Sequence, residues 1–195
     1  MRQEILFSRG SLYQLFKNIE NSIVSEIEGY NEAKVNENID NLCKAIYKKN
    51  SLEAPILDDQ SIKTVEQGEM EVPNRGTRST RKITYVKIEI PFSGDGQLFQ
   101  FVPSQSIMTH IGAELFNDRM NLIYEMNDRT SAQIKSEMDR DIRDIKHNLA
   151  NIQKEVAAFN PKINVLAREN IERRKEKLKK DREVIEGIGF PFKDK

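Results

Sequence analysis

Residues 134–159 read IKSEMDRDIRDIKHNLANIQKEVAAF. Within this stretch Ile134, Met138, Ile142, Ile145, Leu149, Ile152, Val156 and Phe159 follow one another at steps of 4, 4, 3, 4, 3, 4 and 3. Alternating steps of three and four keep apolar side chains on one narrow stripe of an α-helix, the spacing of a seam that faces a partner helix. The stretch therefore predicts a long helix whose interaction seam is Met138, Ile142, Ile145, Leu149, Ile152, Val156 and Phe159.

Towards the C-terminus the seam meets Asn160-Pro161. Asn is a good helix N-cap and Pro is tolerated at the first helical position, where its missing N–H has no partner to lose. Ile171, Leu178 and Ile185 then recur every seven residues, giving a thinner seam. If residues 157–161 form a turn, the two segments fold back as an antiparallel helical hairpin; if they only distort the helix, one long kinked rod results. The hairpin is the expected form. Gly187 and Gly189 signal a helix end, and Phe190-Pro191-Phe192 follows.

Towards the N-terminus the period changes. Ile83-Thr84-Tyr85-Val86-Lys87-Ile88-Glu89-Ile90 is β-branched, and Val86, Ile88 and Ile90 alternate with Lys87 and Glu89, as on a half-buried strand. Ser93-Gly94-Asp95-Gly96 then predicts a hairpin turn into Leu98–Val102. Because two strands alone are marginal in water, Thr64–Val72 is the candidate third strand. Pro103 closes this β segment, and Ser104 or Ser106 is expected to cap the next helix. The first block is helical: Leu12, Leu15, Phe16, Ile19, Ile23 and Ile27 share a face, with Ser11 and Gln14 in capping-box spacing. Beyond Gly29, Val35, Ile39, Leu42 and Ile46 form a second stripe, either a separate helix or the far arm of a bent one.

The expected fold class is α+β, predominantly α: long helices with a helical hairpin or coiled-coil-like pair, and a small antiparallel β insertion. The segments read as 1–60, an N-terminal helical part; 61–103, a β hairpin or small sheet; and 104–195, a long helical hairpin, together forming one structural unit. The 31 basic and 31 acidic residues cancel, so net charge points to neither nucleic acid nor membrane. No run approaches the roughly 20 apolar residues that cross a bilayer, and the opening lacks the apolar core of a secretory signal, so a cytoplasmic location is expected. Cys43 is the single cysteine and reads as a buried structural thiol.

Groups for chemistry are few. His110 and His147 have no ligand spacing between them, and Glu137, Asp139, Asp141 and Asp144 alternate with Lys135, Arg140 and Arg143 as a solvated helix face does. Ser93-Gly94-Asp95-Gly96 lacks the lysine and helix of a phosphate-binding loop. Neither a catalytic residue, a metal site nor a cofactor is assigned. The segment 73–82 carries Arg75, Arg78, Arg81 and Lys82 with no acidic residue, a composition suited to phosphate contacts. Arg173, Arg174, Lys175 and Lys177 lie in a second basic region, which acidic neighbours partly offset.

Three short stretches, Phe159-Asn160, Arg173-Arg174-Lys175-Glu176-Lys177 and Ile188-Gly189-Phe190-Pro191, resemble the N-terminal helical regions of bacterial defence and restriction-associated proteins. In such proteins a helical region precedes an effector domain, often a nuclease or nucleotide hydrolase. The resemblance implies a sensing, scaffolding or assembly module and transfers no catalytic residue. The functional expectation is a non-catalytic interaction module that forms a homo-oligomer or docks on a partner protein through the seam. The alternative is phosphate-backbone binding of nucleic acid through the basic residues just named.

Overall fold

The computed structural model describes residues 3–74, 79–108 and 110–188. In chain order the elements are β1 (Glu4–Ile5), β2 (Gly10–Ser11), α1 (Leu12–Glu28), α2 (Glu32–Val35), α3 (Ile39–Asn50), β3 (Ile56–Leu57), β4 (Lys63–Pro73), β5 (Thr80–Ser93), β6 (Phe101–Val102), β7 (Gly112–Leu115), β8 (Arg119–Glu125) and α4 (Ser131–Ile188), with 3₁₀ turns at Asp59–Ser61 and Gly96–Gln100. The chain divides into two compact units, one of Met1–Leu15 with Leu52–Val156 and one of Phe16–Ser51 with Ala157–Lys195.

The first unit is built on β5. Its Ile88, Ile90 and Phe92 are buried, as are Met120, Leu122 and Tyr124 of β8, which share their face through the register Val86↔Tyr124, Ile88↔Leu122 and Ile90↔Met120. β8 continues antiparallel to β7 and β7 to β1, while β4 and β3 follow one another along the other edge of β5. Every pairing in this six-stranded sheet is antiparallel; β2 and β6 form a separate parallel bridge. Gly94 ends β5 at φ +89, and a Cβ there would stand 2.7 Å from the Ala54 carbonyl oxygen, so only glycine fits the turn.

The apolar face of the sheet is turned to the first half of α4. Asp141, Asn148 and Asn151 are buried on that helix beside Ile145, Leu149, Ile152 and Val156. Each polar residue has a partner in the same unit: the Tyr124 hydroxyl donates to Asp141 at 3.3 Å, and Asn148 accepts from the Ile107 N–H at 2.9 Å while donating to its carbonyl at 3.2 Å. Asn151 donates to the Gln105 carbonyl at 2.6 Å, and Glu155 accepts from the Ser104 N–H and hydroxyl at 2.7 and 2.8 Å. Helix side chains thereby satisfy the backbone of a segment that has no strand partner of its own.

The second unit is helical. Ile23, Ile27, Val35, Leu42, Cys43 and Ile46 from α1, α2 and α3 are buried with Phe159, Ile163, Ala167 and Ile171 of α4. Phe16 and Phe159 stack with ring centroids 4.2 Å apart. Asn38 caps α3 by accepting the Asp40 and Asn41 N–H groups at 3.0 and 3.1 Å. Arg168 pairs with Asp40 and Arg182 with Glu32. Burial pushes the Cys43 thiol up, in keeping with a structural role.

The expected fold class needs correction: the described residues are 55% helix and 24% strand, and the sheet is a main layer, not a small insertion. Helix was expected from residue 104, but β7 and β8 occupy that region. In β8 Met120, Leu122 and Tyr124 repeat every second residue, a short signal obscured by the apolar Ile123 between them. Leu98–Val102 does not return along β5; it is a 3₁₀ turn followed by β6. The third strand expected at Thr64–Val72 is present as β4, paired antiparallel with β5. The expected helical hairpin at Asn160-Pro161 is absent: α4 runs through Pro161 without a break. Neighbouring turns of buried side chains, Phe159, Ile163 and Ala167, hold the helix across a residue that cannot donate to the Ala157 carbonyl.

An interior proline costs a helix up to about 3 kcal/mol. Pro161 is exposed, so Pro161→Ala restores a backbone hydrogen bond without disturbing the core. The expected gain is about 1–3 kcal/mol in urea unfolding; an unchanged midpoint would show that the chain has already absorbed the defect.

Candidate functional site

The face of the sheet opposite Met120, Leu122 and Tyr124 carries charge. Strand alternation puts Arg81, Ile83, Tyr85, Lys87 and Glu89 of β5 there, and the register places Lys87 beside Ile123 of β8 and Glu66 of β4. Lys87 Nζ lies 2.8 Å from Glu66 and 3.4 Å from Glu114 of β7. The Tyr85 hydroxyl donates to Glu66, and Asn121 Nδ2 donates to Glu114 at 3.4 Å. Asn121 Oδ1 is the one buried side-chain polar atom without a partner among the described residues. Gly68 faces Tyr85, whose hydroxyl would meet a Cβ at 3.2 Å, so the glycine makes room for the ring. At the hairpin end, Arg81 grips Glu125 through both guanidinium nitrogens at 2.5 and 2.8 Å.

These contacts set the protonation states. The Lys87 ammonium and the Tyr85 hydroxyl hold the Glu66 carboxyl below its ordinary value. Lys87 is raised in return, chiefly by its hydrogen bond to Glu66. The face carries an open hollow of about 1010 Å³, with Met70, Val72 and Ile83 at one part of its lining and Tyr85, Lys87 and Glu114 at another.

A second, smaller hollow of about 360 Å³ is lined by His110, Tyr124, Glu137, Arg140, Asp141 and Asp144, among others. The helical residues sit at i, i+3, i+4 and i+7, one face of α4. Arg140 reaches Asp141 through Nη2 at 3.0 Å and Nε at 3.2 Å, and Arg129 pairs with Glu137. Burial pushes the Asp141 carboxyl up, against the lowering by Arg140. Burial and the neighbouring Asp141 charge raise the Tyr124 hydroxyl strongly. The acidic residues read from sequence as a solvated face are thus divided: Glu137, Asp141 and Asp144 meet His110 around one hollow, whereas Asp139 and His147 are exposed. Spacing carried a signal for this, since 137, 141 and 144 run one residue ahead of the apolar 138, 142 and 145. No group of three or more potential ligands among the described residues is placed to hold a metal ion.

The other sequence-derived candidates fall as follows. Arg75 and Arg78 lie outside the described residues. Arg81 is committed to Glu125, and Lys82 to Glu69. Arg173 donates to Asn170 at 2.5 Å and Arg174 to the Tyr30 carbonyl at 3.0 Å; Lys175 and Lys177 are exposed. Of the seam, Ile145, Leu149, Ile152, Val156 and Phe159 are buried and Met138 and Ile142 half-buried, so the chain itself consumes most of that stripe. Sequence reasoning missed Lys87, Glu114 and Asn121, because their proximity arises from pairing between distant strands.

The edge of the sheet is the remaining feature. Among the described residues, β4 is paired only with β5, which leaves one side of an 11-residue strand open. No protein-family model, curated protein or solved structure matches the chain. No helix of the described residues is long and apolar enough to cross a membrane.

The raised Asp141 carboxyl has a definite effect on stability. The folded chain holds this proton more tightly than the unfolded chain, whose carboxyl titrates near 3.8. Between that value and the folded one, the unfolded state carries fewer protons, so stability falls as pH rises. Asp141→Asn is expected to remove this slope while keeping a partner for the Tyr124 hydroxyl. Unfolding midpoints taken from about pH 4 to about pH 7 check it, and an identical slope in the variant would refute the assignment.

Proposed function

We propose that this chain is a non-catalytic interaction module that self-associates through the open edge of β4. The observation that carries the reading is the length of that edge. Eleven residues with one unpaired row of N–H and C=O groups form a template for another strand, as in β-augmentation.

Charge favours a second copy in one register. The edge reads KTVEQGEMEVP, and an antiparallel pairing centred on Gln67 sets Lys63, which also holds Glu89 of its own chain at 3.1 Å, against Glu71 of the other copy. In that register Glu66 meets Gly68 and Glu69 meets Val65, so no glutamate opposes another. Such a contact is isologous and closes as a two-fold dimer. The irregularity between Thr64 and Glu66 and the many charges on the strand limit promiscuous pairing. Nucleic-acid binding has less support, because the two described basic residues of the hairpin already hold carboxylates.

Sedimentation velocity over a range of concentrations tests the reading. The chain is expected to form dimers that Lys63→Glu weakens, by setting like charges against each other at both ends, and that Lys63→Glu with Glu71→Lys restores. A monomer at every concentration, or a double variant no better than the single one, sinks it.

A further inference from the structure

The charged floor of the open sheet face calls for an explanation separate from the strand edge. Lys87 and Glu114 retain 16% and 8% of their side-chain exposure, with 3.4 Å between ammonium and carboxylate. Burying such a pair yields little net stability, since the desolvation of both ions offsets their attraction. Beside it Glu114 receives only a long hydrogen bond from Asn121, at 3.4 Å, and the Asn121 Oδ1 acceptor has no donor. A polar network left incomplete in this way is costly unless something completes it.

The hollow above this floor measures about 1010 Å³. Its lining is electrically balanced: Arg81 and Lys87 against Glu114 and Glu125. Arg81 and Glu125 satisfy one another, and at the floor Lys87, held by Glu66 at 2.8 Å, stands 3.4 Å from Glu114 as the adjacent positive and negative ends. Met70, Val72, Ile83 and Ile123 supply apolar wall. Apolar walls with a few convergent polar groups are the usual form of a small-molecule site.

We infer that this cavity binds an α-amino acid with an apolar side chain, its carboxylate on Lys87, its ammonium on Glu114 and its side chain along Met70, Val72 and Ile83. The ligand's head group carries both charges a bond or two apart, matching the adjacent pair on the floor. Its ammonium has three donors to set against the Glu114 carboxylate. Glu66 keeps Lys87 charged and fixed through its 2.8 Å contact, and the Tyr85 hydroxyl in turn steadies Glu66. The inference is independent of the β4 edge, whose open side takes no part in the cavity floor.

Calorimetric titration of the full chain with L-leucine tests it, alongside leucinamide, which lacks the carboxylate, and 4-methylpentanoate, which lacks the ammonium. One leucine is expected to bind per chain, with both half-ligands at least about tenfold weaker, the loss of one charged contact. Lys87→Met and Glu114→Gln are each expected to weaken leucine by a similar factor. Val72→Glu, on the half-buried wall away from the floor, is expected to do so without touching the charged pair. Amide chemical shifts of the same samples report both the fold of each variant and the location of binding. No binding of leucine, equal binding of a half-ligand, or shifts that avoid Lys87, Glu114 and Ile123 would overturn the site. Edge variants such as Lys63→Glu are expected to leave leucine binding unchanged, so loss of dimerisation and loss of ligand binding are read separately.

Discussion

Along the fourteen residues of β5, alternate side chains point to opposite faces of the sheet, and the other strands of the first unit are arranged around that alternation. Ile88, Ile90 and Phe92 meet the layer that includes Met120, Leu122 and Tyr124, whereas Tyr85 and Lys87 meet Glu66, and Glu89 meets Arg119 and Lys63. A register slip of one residue against β8 would exchange Ile88 and Ile90 with Lys87 and Glu89, burying charge under the helix and exposing isoleucine. Hydrophobic burial on one side therefore fixes the ionic network on the other.

The helix that covers the apolar face does more than supply hydrocarbon. Asp141, Asn148 and Asn151 are buried on α4, and each needs a partner, because an unpaired polar group in the interior costs about 1–3 kcal/mol. The partners are a tyrosine on β8 and the backbone of residues 105–107. The stripe that reads as a seam for another helix is thus occupied within the chain. The surface proposed for association lies instead where hydrogen-bonding capacity is unspent, along the outer side of β4.

On the open face the balance is electrostatic. Exposed ion pairs such as Lys82 with Glu69 contribute little to stability, screened as they are by water. Lys87 and Glu114 differ in being mostly removed from solvent while bordering a cavity, and next to them is an acceptor without a donor. Polar groups placed where they stabilise the fold least are the ones whose presence asks for a ligand, and the two proposals, an edge for assembly and a cavity for an amino acid, use different parts of one sheet.

By itself the sequence determined the elements whose signal is local. The apolar spacing of Leu12 to Ile27, the β-branched run of β5, the third strand at β4 and the long stripe of α4 can each be read from a window of a dozen residues. What covers each apolar face was decided only in the tertiary structure. The same step-of-three-and-four pattern serves a helix facing another helix or a helix facing a sheet, so the seam residues were visible but their neighbour was not. β7 and β8 are four and seven residues long, too short for their period to stand out from the apolar residues around them. Pro161 reads as a break because its local cost is certain, whereas the packing that outweighs it comes from residues on other elements. Lys87, Glu66, Glu114 and Asn121 lie as much as 55 residues apart in the chain, and only the pairing of β4, β5, β8 and β7 brings them to one floor.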